Sequence, residues 1–358
     1  MPPARTGVAD YSAVMVAELR RQGCDVRINS DGEVNVYHIG NNPLHRAIHE
    51  QALRRPGIAL IHDAVLHHFH LGFGDEQRYV DEFVFNYGEW SRGLAARLWK
   101  NRAQSGSDPV YFHYPMLRRI VEASPLVIVH NPGAAAMVRD HHPAAEILEL
   151  PHLAPAAPAP DPYRIAELRQ SWQIPPDTVV FGVFGHLRES KRLRTVLNAA
   201  RDTGSYLLLA GDFVSNEYAT SVETSLQGRA RVIRAPYLSE AEFWHHAHAV
   251  DACINLRYPA AGETSGISIR LMSAGKPVIV SSGLETSVYP DHACLRVDHG
   301  AAEEEMLAAY LLLLRDSPRL RRTIGARAQL HIEKVHSSPA VCADFIKVLK
   351  RNLIANVV

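Results

Sequence analysis

Residues 257–281, RYPAAGETSGISIRLMSAGKPVIVS, constrain the fold more than any other stretch. They follow an apolar run, Val250 to Leu256, that contains Cys253 and Ile254. The stretch opens with a Pro/Gly loop, carries an acid at Glu263 and turns through Thr264-Ser265-Gly266. A helix-like segment, residues 267–274, ends at Gly275, and Lys276-Pro277 leads into a fresh strand at 278–281. Strand, loop, helix and strand in that order make a right-handed βαβ unit. In an open α/β sheet, ligands bind at the loop leaving a strand's carboxyl end. Thr264, Ser265 and Gly266 fall at the helix start, where unpaired backbone N–H groups and the helix dipole favour an anion such as phosphate. A carboxylate beside that turn is suited to accept hydrogen bonds from hydroxyls, which is the expectation for Glu263. Phosphate together with hydroxyls describes a nucleotide-sugar. The plainer reading is a βαβ turn whose Glu is a helix N-terminal charge.

The alternation extends along the chain. A Pro/Gly turn runs straight into an amphipathic helix, Tyr11 to Gln22, ended by Gly23. Such a turn normally follows a strand, and none precedes it. Either the start lies upstream or the domain is built without its first central strand, and a truncated gene model is the expectation. Residues 25–29 and 34–39 read as strands, 45–53 as a helix, and 57–61 as a buried strand that stops at His62-Asp63. The helical insert 75–122, interrupted near Gly106, carries Trp90, Trp99, Tyr111, Phe112 and Tyr114. Those aromatics form either core or an acceptor-binding surface. Residues 126–130 are another buried strand, with a polar end at His130-Asn131.

Residues 151–162, PHLAPAAPAPDP, form a semi-rigid Pro/Ala linker. The βα pattern then restarts, so the chain divides into a first domain, 1–150, and a second, 163–338. The second opens with a buried strand, 179–184, followed by Gly185-His186-Leu187-Arg188-Glu189-Ser190-Lys191. Lys191 is expected to start a helix running to about Ala200. A cation there suits a diphosphate, or is a plain surface Lys. Ser239 with Glu242 three residues on is a capping box.

Composition narrows the class. Lys plus Arg equals Asp plus Glu, 38 each, so no nucleic-acid partner is implied. No apolar run is long enough to span a bilayer and no signal peptide opens the chain, which leaves a cytoplasmic protein, with contact at the inner membrane face open. Four scattered cysteines fit a reducing compartment. The 20 histidines cluster without carboxylates or Cys at ligand spacing, so surface or core roles are expected and no metal site.

The 257–281 stretch resembles the retaining glycosyltransferases of family 4, which have the two-domain GT-B fold. It is similar to the branch whose turn reads Glu-Thr-Ser-Gly after an Arg-x-Pro; Arg257, Pro259, Glu263, Gly266, Gly275 and Pro277 fit. Where the wider family has a second Glu, this chain has Arg270 or Leu271. The run IHDAVLHHF resembles the same branch, in which a His-Asp lies near the transferred sugar. Asp63 is also suited to cap a helix, His62 is also readable as incidental, and either His67 or His68 is expected to face the cleft. The Gly185–Lys191 loop is similar to the family's Gly-Arg-Leu-x-x-x-Lys. Lys191 matches; His186 stands at the Arg, with Arg188 two positions on. The opening turn matches as well, which implies that Gly7 faces the cleft.

The resemblance implies an α/β, GT-B chain of two Rossmann-like domains, with the first strand of the N-terminal domain missing. The last helix, about 339–358, would cross back onto the first domain. It implies retaining transfer from a nucleotide-diphosphate sugar to an unknown hydroxyl acceptor, with the leaving phosphate accepting the acceptor's proton and no metal or cofactor. His62, Lys191 and Glu263 would carry the chemistry. Gly7, Asp63, Gly185, His186, Arg188, Thr264, Ser265, Gly266 and Arg270 would help to bind the donor. Domain closure about the linker would exclude water. The alternatives are a non-catalytic relative that binds a nucleotide-sugar or a partner enzyme, and a GT-B epimerase.

Overall fold

Four short strands build the first sheet: β1 (Val36–Ile39), β2 (Ile58–Ile61), β3 (Leu126–Val129) and β4 (Ile147–Glu149). They run parallel in the order β1-β2-β3-β4. The second sheet holds β5 (Val180–Phe184), β6 (Tyr206–Ala210), β7 (Val232–Ala235), β8 (Ala252–Asn255), β9 (Val278–Ser281) and β10 (Leu295–Val297). It too is parallel, in the order β10-β9-β8-β5-β6-β7. This computed structural model describes residues 6–226 and 231–355. Every residue of β2, β3, β5, β8 and β9 is buried, as strands covered on both faces by helices require. In the second sheet the chain order reverses between β5 and β8. Connections leave that point in opposite directions and open a crevice at the carboxyl ends of the strands.

The terminal helix, Ser338–Ala355, lies beside the first, Gly7–Arg21. Val341, Cys342 and Phe345 share one apolar cluster with Tyr11, Met15 and Leu19 and with Ile58, Leu60 and Ile128 of the first sheet. The chain thus crosses between the sheets twice, and the two crossings touch. Ala154 N–H donates to His336 O (2.7 Å), and the Ser338 hydroxyl donates to Ala154 O (2.6 Å).

Three local expectations are corrected. Residues 25–29 form no strand. Asn29 has φ of 56°, outside the β region, and Arg27 turns back on Asp25 in an exposed ion pair. Lys191 does not open a helix. It ends a 3-10 turn, Glu189–Lys191; Arg192 then adopts a left-handed φ of 56°, and the helix begins at Leu193. Asp63 caps nothing, because the next helix, His67–Leu71, starts four residues later. Residues 65 and 66 are held by other chain segments: Val65 N–H donates to Ala261 O and Leu66 N–H to Pro115 O.

Candidate functional site

The site grows from the end of β8. Asn255 is its last residue and is buried. Its side-chain amide donates to Ser265 Oγ (2.7 Å) and Ser268 Oγ (2.6 Å), while its carbonyl oxygen accepts from Lys191 Nζ at 3.0 Å. Ser265 also N-caps the helix Gly266–Ser273, accepting from Ser268 N–H. One asparagine therefore joins the buried Lys191 to the amino end of that helix. Burial, then the charges of Arg257 and Arg188, push the Lys191 ammonium well below the usual lysine range.

Glu263 sits in the loop between β8 and this helix. One carboxylate oxygen accepts from Arg257 (3.0 Å) and Arg188 (3.2 Å), and the other from Ala261 N–H (2.7 Å). Burial alone would raise its pKa, but the two guanidinium groups overcome burial and hold it below the ordinary carboxylate range. Across the cleft, burial and then the Glu263 charge push Asp63 up. Asp63 accepts from Asn41 N–H at 2.9 Å, which pins the turn after β1.

Further contacts bring the first sheet to the same place. Asn131, at the end of β3, donates to Gly262 O and Thr264 Oγ1, both at 2.9 Å, while its carbonyl oxygen caps the helix Pro132–His141. Gly262 has φ of +70°, and a Cβ there would lie 2.7 Å from Ala64 Cβ, so the turn needs glycine for conformation and for space. His62 is buried in a group of rings. It shares a hydrogen bond with His38 (3.0 Å), and its ring centre lies 4.7 Å from Tyr11 and 5.4 Å from His130. Burial, then its histidine neighbours, keep it neutral far below the usual pH. His152 completes this wall and packs against Gly266.

The remaining expected residues spread around this centre. Gly185 ends β5, and His186 is exposed beside it. Gly7 opens the first helix, and Asp10, one turn on, feels the charges of Arg270 and Glu240 across the cleft. Arg270 stacks on Phe243, 3.9 Å from the ring centre, and pairs with Glu240 at 2.6 Å. His67 is core, bonded to Tyr79 and Tyr114; His68 lies closer to the cleft, bonded to Asn41 and Ser105 and within electrostatic reach of Arg188. Asn255, Asn131 and the guanidinium of Arg257 were missed as site groups. For the two asparagines the sequence signal was a polar residue at the end of an apolar run, and for Arg257 its place in the Arg-x-Pro motif. Among the described residues no cluster of three His, Cys, Asp or Glu could hold a metal ion, and no helix is long and apolar enough to cross a membrane.

No protein-family model matches the sequence, and no curated protein matches it. Solved structures do. Sucrose-phosphate synthase from Thermosynechococcus elongatus superposes with a TM-score of 0.65 at 17% identity, over 89% of this chain and 74% of that one. HepE of Anabaena, in complex with UDP and glucose, gives 0.67 at 14% identity, over 97% and 96%. WaaG, a glycosyltransferase involved in lipopolysaccharide biosynthesis, gives 0.62 at 14% identity, over 95% and 96%. The fold is GT-B, two Rossmann-like domains with the cleft between their sheets.

Proposed function

We propose that the chain is a retaining glycosyltransferase that moves a sugar from a nucleoside-diphosphate donor to a hydroxyl acceptor. One observation carries the reading: Lys191, Arg188 and the amino end of the helix Gly266–Ser273 converge beside Glu263 at the switch point of the second sheet. That end is an anion site with a hydroxyl-binding carboxylate next to it. Burial first, and then the charges of Arg257 and Arg188, depress Lys191, so three basic side chains share the space with one firmly ionised carboxylate. A diphosphate would restore the balance. Lys191 would turn from Asn255 to the departing phosphate and stabilise the charge that grows there. Glu263 would orient sugar hydroxyls. His62, neutral, would contact the sugar or the incoming hydroxyl. The leaving phosphate would take the acceptor's proton on the same face.

Residues 1–150 would present the acceptor and residues 163–338 the donor. The four free cysteines fit the cytoplasmic side of the membrane. Because the HepE complexes contain UDP and UDP-glucose, UDP is the first base to try. The test is a thermal-shift screen with UDP, GDP, ADP and their sugar conjugates, followed by donor hydrolysis and NMR of the released anomer. Release with the donor's own configuration supports the reading, and the opposite anomer overturns retention. A non-catalytic binder is the second reading, favoured by Arg270. Arg270 or Leu271 stands where the family the sequence resembles has its second acid, and Arg270 is tied to Glu240. Diphosphate binding without turnover toward any acceptor would select it.

A further inference from the structure

Lys191 and Arg192 are adjacent, yet their side chains diverge. Lys191 reaches Asn255 at the end of β8, and Arg192 reaches Glu303, the first residue of the helix Glu303–Asp316. The backbone at Arg192 is left-handed, with φ of 56° and ψ of 36°. That conformation is unfavourable for a residue with a Cβ, and a strained residue beside a site persists only where its surroundings hold it. Changing φ at Arg192 rotates Lys191 relative to the helix Leu193–Thr203. The conformation of this one residue therefore sets where the Lys191 ammonium lies.

Two contacts grip the chain on either side of Lys191. After it, Arg192 Nη2 donates to Glu303 Oε2 at 2.5 Å, and Nε lies 3.1 and 3.2 Å from the two carboxylate oxygens. The Glu303 side chain is 4% exposed, and its other neighbours are the Thr195 hydroxyl at 3.5 Å and His299 Nδ1 at 3.7 Å. A charge-assisted fork of this kind fixes the plane of the guanidinium as well as its distance. Before it, Ser190 O accepts from Tyr258 N–H at 2.8 Å. The Tyr258 ring stacks on His299, centre to centre 3.3 Å, so both grips meet in one packed group.

We propose that Arg192 is a positioning residue: its pair with Glu303 holds the left-handed turn that places Lys191 on Asn255 at the cleft. The inference rests on the glycosyltransferase reading for what Lys191 does, and adds to it the device that aims Lys191. Arg192 acts through its neighbour in the chain, by backbone conformation. A pair that served stability alone would leave the placement of Lys191 unchanged when it is lost.

The experiment compares two double variants of the full chain, Arg192→Ala with Glu303→Gln and Arg192→Gly with Glu303→Gln. Both lose the pair without leaving a buried charge, and they differ by a single methyl group at the left-handed residue. Lysines are labelled with sulfosuccinimidyl acetate and mapped by mass spectrometry. Lys276, whose ammonium donates to His248 O and Val250 O, is the internal control. Steady-state hydrolysis of UDP-, GDP- and ADP-glucose reads the chemistry. With Arg192→Ala, Lys191 should label about tenfold faster than in the wild type and kcat should fall about tenfold, the equilibrium weight of a left-handed Cβ. Lys276 should label as before. With Arg192→Gly, both values should return to within about threefold of the wild type, because glycine adopts that φ freely. A pair serving stability alone gives the reverse order, since glycine also loosens the unfolded chain. Unchanged Lys191 labelling with Arg192→Ala, or no recovery with Arg192→Gly, overturns the proposal. Faster labelling of Lys276 in step with Lys191 overturns it as well, by assigning the effect to general opening. Failure of the wild type to hydrolyse any of the three donors counts against the transferase reading, while the labelling rates still decide whether the pair places Lys191.

Discussion

Lys191 is the residue on which the proposed chemistry turns. It is 3% exposed, and the neighbour it bonds is neutral Asn255. Lys191→Ala is expected to lower turnover about a hundredfold, the scale of one transition-state charge contact. Steady-state donor hydrolysis checks this, and unchanged turnover would remove Lys191 from the mechanism. Glu263 makes the complementary case. Its side chain is 10% exposed and balances two arginines. Glu263→Ala should destabilise the ligand-free protein by about 3–5 kcal/mol, the cost of breaking a buried pair. Urea unfolding with and without the bound diphosphate tests it, and part of the loss should return with the ligand, because phosphate re-pairs the arginines. Lys191, Glu263 and Ser265 were legible in the sequence because each stands at a fixed offset from a strand end. Asn131 was not, since what gives it meaning is a partner more than a hundred residues away.

Among the elements, the strands buried on both faces were the most directly legible. The runs at 58–61, 126–129 and 278–281 leave no alternative to a central parallel strand. Residues 25–29 alternate polar and apolar side chains as an edge strand would, yet no neighbour receives them. The carboxyl ends of β1, β2 and β3 gather His38, His62 and His130, which stand singly in the sequence. Burial, the leading cause in each case, pushes His38 to about 3 and His130 and His336 to about 4. The folded state keeps these rings neutral, whereas the unfolded chain protonates them near 6.5. Between pH 6.5 and about 4 the unfolded state binds more protons, so stability is complete above pH 6.5 and falls as the pH drops through that window. Each such ring contributes about 1.4 kcal/mol per pH unit there. The urea midpoint should therefore fall steeply from pH 7 to pH 5, and His130→Asn should flatten the slope. Equal slopes in the two proteins would show that the rings titrate alike in both states.

At the scale of the whole molecule, the halves are joined by the paired crossings at Ala154 and His336 and by the turn 261–264, which reaches the first sheet. The linker's extended form was legible in its Pro/Ala run but its pairing was not, because the second crossing lies at the far end of the chain. The turn is a contact that exists only when the domains are apposed. Gly262 is its closest point: a Cβ would meet Ala64 Cβ at 2.7 Å and Met137 Sδ at 3.1 Å, and φ of +70° disfavours any L side chain. An alanine there does not touch Lys191, Arg188 or the amino end of the helix Gly266–Ser273, so a diphosphate should still bind within about threefold of the wild type. Apposition would be weakened by the clash and by about 1 kcal/mol or more of backbone strain. If closure assembles the site, Gly262→Ala should then lose turnover by about tenfold or more while Kd for the diphosphate stays put. Asn131→Ala should do the same more mildly, since it removes two hydrogen bonds across the cleft without adding a clash. Both losses should shrink together when the donor is saturating only if binding energy draws the domains together. A turnover loss that persists at saturation places the defect in the closed geometry itself, and undiminished turnover in both variants would mean that the apposed arrangement takes no part in the reaction.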